Sequence, residues 1–235
     1  MSVAPLAPPG VSILFLPPPQ EPNFSCAYEQ RLGSMGDGGK WVCDPASIER
    51  AAAAAGRGCV VYSVGSGARF SFEAAVHAAL PGCAIHTFDH TIGDRRRGRA
   101  TALPRYIHFH PWGLAAEDVG GTPLRGLASV RRELGHDAAT GGVSLELLKV
   151  DVEGSEFESL LPWLRTGALD GVRQLLLEVH EPQRDDHYAT ARRIFAELDA
   201  AGWVITHKEP NLLTGGKLVE YAFLKLEWDV KGETS

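Results

Sequence analysis

Two carboxylates stand directly after an apolar run in the stretch LLKVDVEGSEFESLL, residues 147–161. The run before Asp151 and Glu153 has the continuous apolar character of a buried strand, and the residues after them have the spacing of a helix. Two neighbouring carboxylates raise the pKa of one of them, which makes a general base, or they hold a divalent cation that acidifies a bound hydroxyl. Glu178 and His180, at the end of the next apolar run, would add metal ligands or a second base.

These acidic residues suit a reaction in which a hydroxyl nucleophile must be oriented and must lose its proton. We predict that Asp151, Glu153 and His180 are catalytic and that Glu178 contacts the substrate. If a divalent cation takes part, its ligands would be Asp151, Glu153 and Glu178. In extended geometry Glu153 would lie on the same side of the chain as Asp151. A structural alternative stays open, in which Asp151 accepts backbone N–H bonds and Glu153 and Glu156 favour the helix dipole. His180 would then be a satisfied structural histidine.

A glycine turn, VGSGARFS at residues 64–71, is the second candidate site. Gly65 and Gly67 allow a tight turn and a close backbone approach to a ligand, and the helix that follows offers free N–H groups. Asp89 lies 24 residues beyond Gly65 at the end of the next apolar run. This is near the spacing of about 20 residues at which an acid accepts the ribose hydroxyls of an adenosine ligand. The alternative is a surface aspartate that caps the next turn.

Phe70 separates two classes of adenosine ligand. Dinucleotide sites have glycine or alanine at this place in the GxGxxG pattern, where it allows close packing beneath a pyrophosphate. The absence of that glycine or alanine favours a ligand without pyrophosphate, and we predict S-adenosylmethionine. The predicted cofactor-binding residues are Ser63, Gly65, Ser66, Gly67, Asp89, Trp112 and Asp151.

The candidate residues fall where a doubly wound sheet would gather them. From residue 44 onward, short apolar runs alternate with amphipathic segments, which is typical of a parallel sheet buried on both faces. The predicted strands are 59–64, 83–89, 106–110, 145–151, 173–180, 203–211 and 218–228, the last two forming an antiparallel hairpin. The predicted helices are 47–58, 71–80, 124–135, 155–165 and 187–202. We therefore predict an α/β fold with a Rossmann-like, doubly wound, mostly parallel seven-stranded sheet that binds ligands at the carboxyl ends of its strands.

The segment before the first strand, GDGGKWVC at 36–43, joins three glycines to Asp37, Lys40 and Trp41. We predict these three as substrate or lid residues, with Trp41 excluding water from the cofactor. The alternative is a flexible lead-in whose tryptophan is pinned to the core. The predicted organisation is a disordered proline-rich arm at 1–22, a lid and helix at 23–58, the main domain at 59–228 and a disordered tail at 229–235.

The net charge and the composition restrict the kinds of partner that we expect for this protein. The net charge of −6 argues against a nucleic-acid footprint, and the one basic cluster, DRRRGR at 94–99, is short enough for a solvated loop. The N-terminal apolar run VSILFL is far too short to span a bilayer, so we predict no stable membrane insertion. We expect a cytoplasmic protein, or a secretory-pathway protein if an N-terminal targeting segment is missing.

The four cysteines do not form a metal-binding pattern, because no CxxC pair is present and no histidine is spaced to complete a zinc site. We expect Cys59 and Cys83 to be packed free thiols, since they lie beside predicted buried strands. Cys26 and Cys43 could pair if the chain is secreted.

The stretch LLKVDVEGSEFESLL resembles the signature of the FkbM-type methyltransferases. The segments GDGGKWVCDP, CVVYSVGSG, HTFDH, HPWGLA and LLLEVHEP are together similar to the methyltransferase-like protein 24 group, and the resemblance covers residues 26–226. The glycine turn is common to many proteins, whereas KVDVEGSE and GGKWVC in this order are fairly specific. The resemblance implies a class I methyltransferase fold and methyl transfer from S-adenosylmethionine to oxygen on a small-molecule or glycan-like acceptor.

Two positions depart from these families. Most class I methyltransferases have an acid where this chain has Ser63, although the methyltransferase-like protein 24 group is similar in having serine there. His90 follows Asp89 where that group generally has proline. Two other functions stay open. One is a nicotinamide-dependent oxidoreductase, which Phe70 and the absence of a YxxxK pair disfavour, and the other is a catalytically silent binding module of Rossmann-like fold.

Overall fold

The computed structural model describes residues 20–92, 102–137, 142–182, 184–214 and 217–226. Most of the predicted N-terminal arm, the predicted C-terminal tail and the basic cluster at 94–99 lie outside these residues. Within them, no helix combines the length and the apolar character that crossing a bilayer requires.

Eleven strands and five α-helices occur in the described part of the chain. The strands are β1 (Glu29–Leu32), β2 (Lys40–Cys43), β3 (Gly58–Val64), β4 (Ala84–Phe88), β5 (Ile107–His110), β6 (Gly113–Ala115), β7 (Leu124–Gly126), β8 (Val143–Val150), β9 (Val172–His180), β10 (Trp203–Pro210) and β11 (Leu218–Lys225). The α-helices are α1 (Pro45–Ala54), α2 (Ser71–Ala79), α3 (Leu127–Glu133), α4 (Glu156–Arg165) and α5 (Asp185–Ala200). A short 3-10 helix covers Leu212–Thr214.

Seven of these strands form the main sheet, in the order β10-β11-β9-β8-β3-β4-β5. Strands β3, β4, β5, β8 and β9 run parallel, and β11 pairs antiparallel with both β9 and β10. The predicted fold class, a mostly parallel doubly wound sheet with a C-terminal antiparallel hairpin, is confirmed. The strand order reverses at β3, which lies between β4 and β8, so the carboxyl ends of these three strands mark the place where doubly wound sheets bind ligands.

The central strands are apolar on both faces because helices cover both sides of the sheet. Tyr62 of β3 and Leu148 of β8 belong to the core that includes residues of α4 and α5. Val61 and Leu147, their neighbours along the chain, belong to the core that includes residues of α1 and α2. Each such buried side chain stabilises the fold by roughly 1.5–3 kcal/mol. Because side chains are buried on both faces of the sheet, the strands appear in the sequence as near-continuous apolar runs.

Two small sheets were not predicted from the sequence. The pairs β1–β2 and β6–β7 each form a two-stranded sheet, and strands of three or four residues are too short to show a clear alternation. Strand β7 takes the first residues of the predicted helix 124–135. The helix begins at Leu127 instead, because Gly126 is extended, with φ −70° and ψ 140°, and pairs with Ala115.

Both cysteine pairs form disulfides. The bond between Cys26 and Cys43 fastens the segment before β1 to the end of β2, and this pairing was considered from the sequence. The prediction that Cys59 and Cys83 are free thiols is wrong. Cys59 stands near the start of β3 and Cys83 directly before β4, so the parallel pairing of these strands brings the two Cα atoms to 4.5 Å. The burial of each cysteine, considered separately, gave no indication of this register.

A stack of histidines fills the space beside the end of α3. The ring of His86 lies 4.7 Å from that of His108 and 5.2 Å from that of His110, and its Nδ1 is 3.0 Å from Nε2 of His110. His136 hydrogen-bonds the Tyr62 hydroxyl at 2.8 Å. Burial, and then the neighbouring histidines, lower the pKa of His86 to about 3, so its ring is uncharged at neutral pH.

Candidate active site

A cavity of about 580 Å³ lies at the carboxyl ends of the central strands, a size typical of small-molecule sites. The register sets Val64 of β3 level with Phe88 of β4 and Val150 of β8, so the residues after these strands open into one space. The sequence-predicted residues that line the cavity are Asp37, Gly65, Ser66, Gly67, Asp89, Asp151, Glu153 and Glu178. The structure thus brings the glycine turn and the predicted carboxylates together.

The glycine turn is joined to the end of β8. Gly65 has φ +76°, and a Cβ atom there would overlap the carbonyl oxygen of Asp151, so this position requires glycine. Gly67 has φ +54° with open space around the position of a Cβ atom. The Lys149 ammonium donates a hydrogen bond to the Gly65 carbonyl, and the Asp151 N–H donates to the carbonyl of Val64 at 3.1 Å. The turn and the catalytic candidate Asp151 therefore form one rigid unit.

Asp89 shapes the glycine turn through its carboxylate. Oδ2 accepts hydrogen bonds from the backbone N–H of Ser66 at 3.0 Å and of Gly67 at 2.8 Å, and Oδ1 accepts from the N–H and hydroxyl of Thr91. Burial acts to raise the pKa of Asp89, but the hydrogen bonds from Thr91, Gly67 and Ser66 outweigh it and lower the pKa. Turn capping, the alternative considered from the sequence, is thus present, and the ribose contact stays a prediction.

Lys40, which was predicted as a substrate or lid residue, is instead a buried cation among carboxylates. It is 1% exposed, and its Nζ lies 2.9 Å from Oε2 of Glu178 and 3.5 Å from Oδ2 of Asp151. It also donates a hydrogen bond to Glu220 of β11. Lys149 Nζ lies 3.3 Å from Oδ2 of Asp151 on the other side. Two ammonium groups therefore hold the acidic residues at the base of the cavity.

The charges in this cluster set the protonation state of Asp151. Burial acts to raise its pKa, but the positive charges of Lys149, Lys40 and His180 outweigh burial and lower the pKa to about 2. The pKa of Lys40 is raised, because its three carboxylate neighbours outweigh the effect of burial. Burial and the neighbouring Glu178 raise the pKa of Glu220. Because its pKa is about 2, Asp151 is a carboxylate anion at neutral pH.

His180 has a carboxylate partner that favours its protonated form. Oε1 of Glu156 accepts hydrogen bonds from the His180 backbone N–H at 2.8 Å and from Nδ1 of its ring at 3.0 Å. Burial acts to lower the pKa of His180, but Glu156, Glu178 and Glu153 outweigh it and raise the pKa to about 9. An imidazolium has no free lone pair, so His180 does not act as a general base at neutral pH. Glu156, which is 1% exposed, is the partner that sequence reasoning missed.

Glu153 does not continue the extended geometry of β8, so the expectation that it shares a side with Asp151 for that reason is wrong. Its φ is +54°, in the left-handed region that few residues other than glycine adopt. Its side chain is 90% exposed at the edge of the cavity, and its Oε2 lies 3.5 Å from Nε2 of His180. The chain turns here because Gly154, with φ +101°, follows at once.

A metal ion could use Asp151, Glu178 and His180, whose ligand atoms lie within 4.8 Å of one another. This set has His180 in place of the predicted Glu153. Lys40 and Lys149 already face Asp151 within 3.5 Å, and His180 is itself positively charged. Two ammonium groups therefore already occupy the Asp151 carboxylate, and a divalent ion would have to compete with them for it.

Two predicted aromatic contacts lie away from the cavity wall. Trp41 stacks on His207 at 4.2 Å between ring centroids and donates its Nε1–H to Glu209 at 2.9 Å. This matches the alternative of a pinned tryptophan, and of the predicted lid residues only Asp37 borders the cavity. Trp112 stacks on His110 at 4.9 Å. The next residues along the chain, and not Trp112, form that part of the wall.

Ser63 lies beneath the glycine turn and does not line the cavity. Its hydroxyl donates a hydrogen bond of 2.6 Å to Oε1 of Glu73, and both side chains are buried. Glu73 lines the cavity and was not predicted. The signal available in the sequence was an acid in the first turn of the helix that follows a glycine turn.

The cavity fits S-adenosylmethionine on observations of this chain alone. Its glycine turn has free space at Gly67, and its carboxylates at Asp89, Glu73 and Asp151 suit a ligand that carries cationic sulfonium and ammonium groups. The same carboxylates would repel a pyrophosphate. The sheet order together with this acidic, glycine-lined cavity defines the class I S-adenosylmethionine-dependent methyltransferases.

The chain belongs to a methyltransferase family, since the family model described as "Methyltransferase domain" matches residues 12–225. The protein is therefore an S-adenosylmethionine-dependent methyltransferase with S-adenosylmethionine as its cofactor, and the oxidoreductase alternative falls. No curated protein matches this sequence.

Several solved structures have a similar chain trace, among them the following. The fibrillarin pre-rRNA processing protein of Methanococcus jannaschii is 10% identical, with 86% of this chain and 85% of that chain covered and a TM-score of 0.47. A putative tRNA (m1A22) methyltransferase of Streptococcus pneumoniae is 16% identical, with 78% and 74% covered and a TM-score of 0.40. The O-methyltransferase TomG of Streptomyces achromogenes is 13% identical, with 77% and 79% covered and a TM-score of 0.41.

Proposed function

We propose that this methyltransferase methylates a hydroxyl oxygen of a small-molecule or glycan-like acceptor, and that it belongs with the FkbM-type and methyltransferase-like protein 24 groups. One observation carries the acceptor chemistry. The Asp151 carboxylate is ionised, retains 18% exposure of its side chain, and lines the cavity directly beside the glycine turn. Glu178, on the neighbouring strand, lines the same wall.

When bound, the cofactor supplies an electrophilic methyl group. Asp151 accepts a hydrogen bond from the acceptor hydroxyl and thereby orients its oxygen. The hydroxyl proton becomes far more acidic as the oxygen is alkylated, so even a carboxylate of low pKa takes it. The proton then passes from Asp151 to solvent, to which its side chain is 18% exposed, because Lys40 and Lys149 favour the ionised carboxylate.

The charge distribution supports an acceptor that is not a nucleic acid. The chain carries a net charge of −6, and the cavity wall carries carboxylates at Asp89, Asp151, Glu153 and Glu178. Nucleic-acid binding draws most of its affinity from lysine and arginine contacts to phosphates, which such a wall repels. An uncharged hydroxyl compound meets no such repulsion.

The test is transfer of radiolabelled methyl groups from S-adenosylmethionine to two panels, one of sugars, sugar acids and phenols and one of RNA. We expect label in the first panel, in a linkage that resists the alkaline hydrolysis that removes methyl esters. Asp151→Asn should lower turnover by about 100-fold or more, because it removes the proton acceptor. Cofactor affinity, measured by calorimetry, should change much less. Asp199→Asn, on the exposed side of α5, is the matched control and should retain full activity.

Three results would contradict the proposal. Label found only in RNA would show that the acceptor is a nucleic acid and not a small-molecule or glycan-like compound. Unchanged turnover in Asp151→Asn would remove the carboxylate from the chemistry. Cofactor binding without transfer to any acceptor in either panel would favour the catalytically silent binding module.

We also propose that the protein matures in an oxidising compartment, in place of the cytoplasmic location expected from the sequence. The support is the pairing of Cys26 with Cys43 and of Cys59 with Cys83. Disulfides persist in secreted proteins and in the secretory pathway and are rare in the cytosol.

A further inference from the structure

Glu73 is a buried carboxylate with half of its hydrogen-bonding capacity unused. It is 1% exposed, and Oε1 accepts the hydrogen bond from the Ser63 hydroxyl at 2.6 Å. Oε2 is buried and has no hydrogen-bond partner in the part of the chain that the structure describes. A buried polar atom without a partner costs about 1–3 kcal/mol and more if it is charged, so native proteins seldom keep one without a use.

Glu73 borders the cofactor cavity. Glu73 is the third residue of α2, which begins shortly after the glycine turn, and it lines the cavity together with Phe72. The nearest flexible cation along the chain, Arg69, pairs with Asp37 at 2.7 Å instead, and its side chain is 71% exposed. No ion pair to Glu73 occurs among the described residues, so its counter-charge is left to the contents of the cavity.

We propose that Glu73 binds the α-ammonium group of the methionine portion of S-adenosylmethionine, with Ser63 holding the carboxylate in place from behind. The inference rests on the proposed function only through its cofactor. An ammonium group offers three donors and a full positive charge, which matches a carboxylate oxygen that lacks both a donor and a counter-ion. Because Glu73 itself is 1% exposed, that pair would be little screened.

The experiment compares three ligands by isothermal calorimetry. S-adenosylmethionine carries both the sulfonium and the α-ammonium cation, S-adenosylhomocysteine carries only the ammonium, and 5′-methylthioadenosine carries neither. Glu73→Gln should weaken binding of the first two ligands about tenfold or more, the scale of a lost charge-assisted hydrogen bond, and should change the third less than about twofold. Glu158→Gln, at an exposed position on α4, is the matched control and should leave all three affinities unchanged.

A second measurement separates a binding role from a structural one. Without ligand, Glu73→Gln should unfold at the same temperature as the unmodified protein or higher, because a neutral amide is less costly to bury without a partner. Its thermal shift on addition of S-adenosylhomocysteine should be much smaller than that of the unmodified protein. A lower melting temperature without ligand would assign Glu73 to the fold instead.

Each remaining outcome has a distinct meaning. Equal losses for all three ligands, or unchanged affinity for S-adenosylhomocysteine, would overturn the ammonium contact. A loss confined to S-adenosylmethionine would place Glu73 against the sulfonium, and so would also overturn it. If the unmodified protein binds none of the three ligands, the cofactor assignment fails along with this inference.

Discussion

Lys40→Met should remove a large part of the stability of the protein. The Lys40 ammonium is 1% exposed, forms salt bridges with Glu178 at 2.9 Å and with Asp151 at 3.5 Å, and bonds to Glu220. Removing one partner of a buried ion pair costs about 3–5 kcal/mol, because the other partner stays buried without a counter-charge. Domains have a free energy of unfolding of about 5–15 kcal/mol. We therefore expect Lys40→Met to lose about 3–5 kcal/mol of its free energy of unfolding at pH 7, which is a large share of the total.

The pH dependence should steepen in the same variant. In the unmodified protein the pKa of Asp151 is lowered from 3.8 to about 2, so its contribution of about 2 kcal/mol is present above pH 4 and is lost as the pH falls toward 2. Burial and Glu178 raise the pKa of Glu220, so the unmodified protein already gains stability as the pH is lowered from 8 to 5. In Lys40→Met the pKa of Glu220 should rise further, because the ammonium that lowers it is gone, and the gain between pH 8 and 5 should be larger than in the unmodified protein.

Urea unfolding at pH 5, 7 and 8 is the assay for both effects. The double variant Lys40→Met with Glu220→Gln should recover at least about 1 kcal/mol of the loss, since one of the unpaired carboxylates is gone. Lys217→Met is the control, because the Lys217 side chain is 68% exposed, and its change should stay within about 0.5 kcal/mol. A loss below about 1 kcal/mol for Lys40→Met, or no recovery in the double variant, would refute the assignment of Lys40 as the counter-charge of the cluster.

Three further predictions concern the turn, the histidine stack and the second disulfide. Gly65→Ala should fail to fold because a carbonyl oxygen occupies the place of its Cβ atom, whereas Gly67→Ala, with open space, should cost about 1–2 kcal/mol by thermal unfolding. Because the pKa of His86 is lowered in the folded protein, the free energy of unfolding, measured with urea, should fall by up to about 2 kcal/mol between pH 6.5 and 5. His86→Phe should reduce this fall, and an equal fall in both proteins would contradict the prediction. Replacing Cys59 and Cys83 by serine should lower the free energy of unfolding by about 3 kcal/mol, because the disulfide closes a loop between cysteines 24 residues apart. Mass spectrometry under non-reducing conditions should find no free thiol in the unmodified protein.

The sheet could be predicted because its signal is local. Apolar runs such as 145–151 report burial on both faces of a parallel strand, and parallel strands must deliver their following residues to one end of the sheet. That rule predicts that Gly65, Asp89 and Asp151 lie together, and all three line the cavity. The short strands of the two small sheets carry no such periodicity, and they were missed.

The partners of individual charges could not be predicted, because they lie far apart in the chain. Lys40 meets Glu178 and Glu220, which follow it by 138 and 180 residues, and lysine is among the residues least often buried. A lysine in a glycine-rich segment therefore indicated an exposed lid. The partner of Glu73 was hidden for a different reason, because Ser63 is only 10 residues away but the contact depends on how α2 packs against the end of β3.

The long separation between Lys40 and its acidic partners also has a consequence for biosynthesis. The ribosome releases Lys40 well before Glu220, which follows it by 180 residues. Until β11 has been synthesised, the buried ammonium lacks one of its three carboxylate partners. Stable docking of the β1–β2 hairpin thus waits for β11, and a nascent chain that stops short of β11 leaves the Lys40 cluster incomplete.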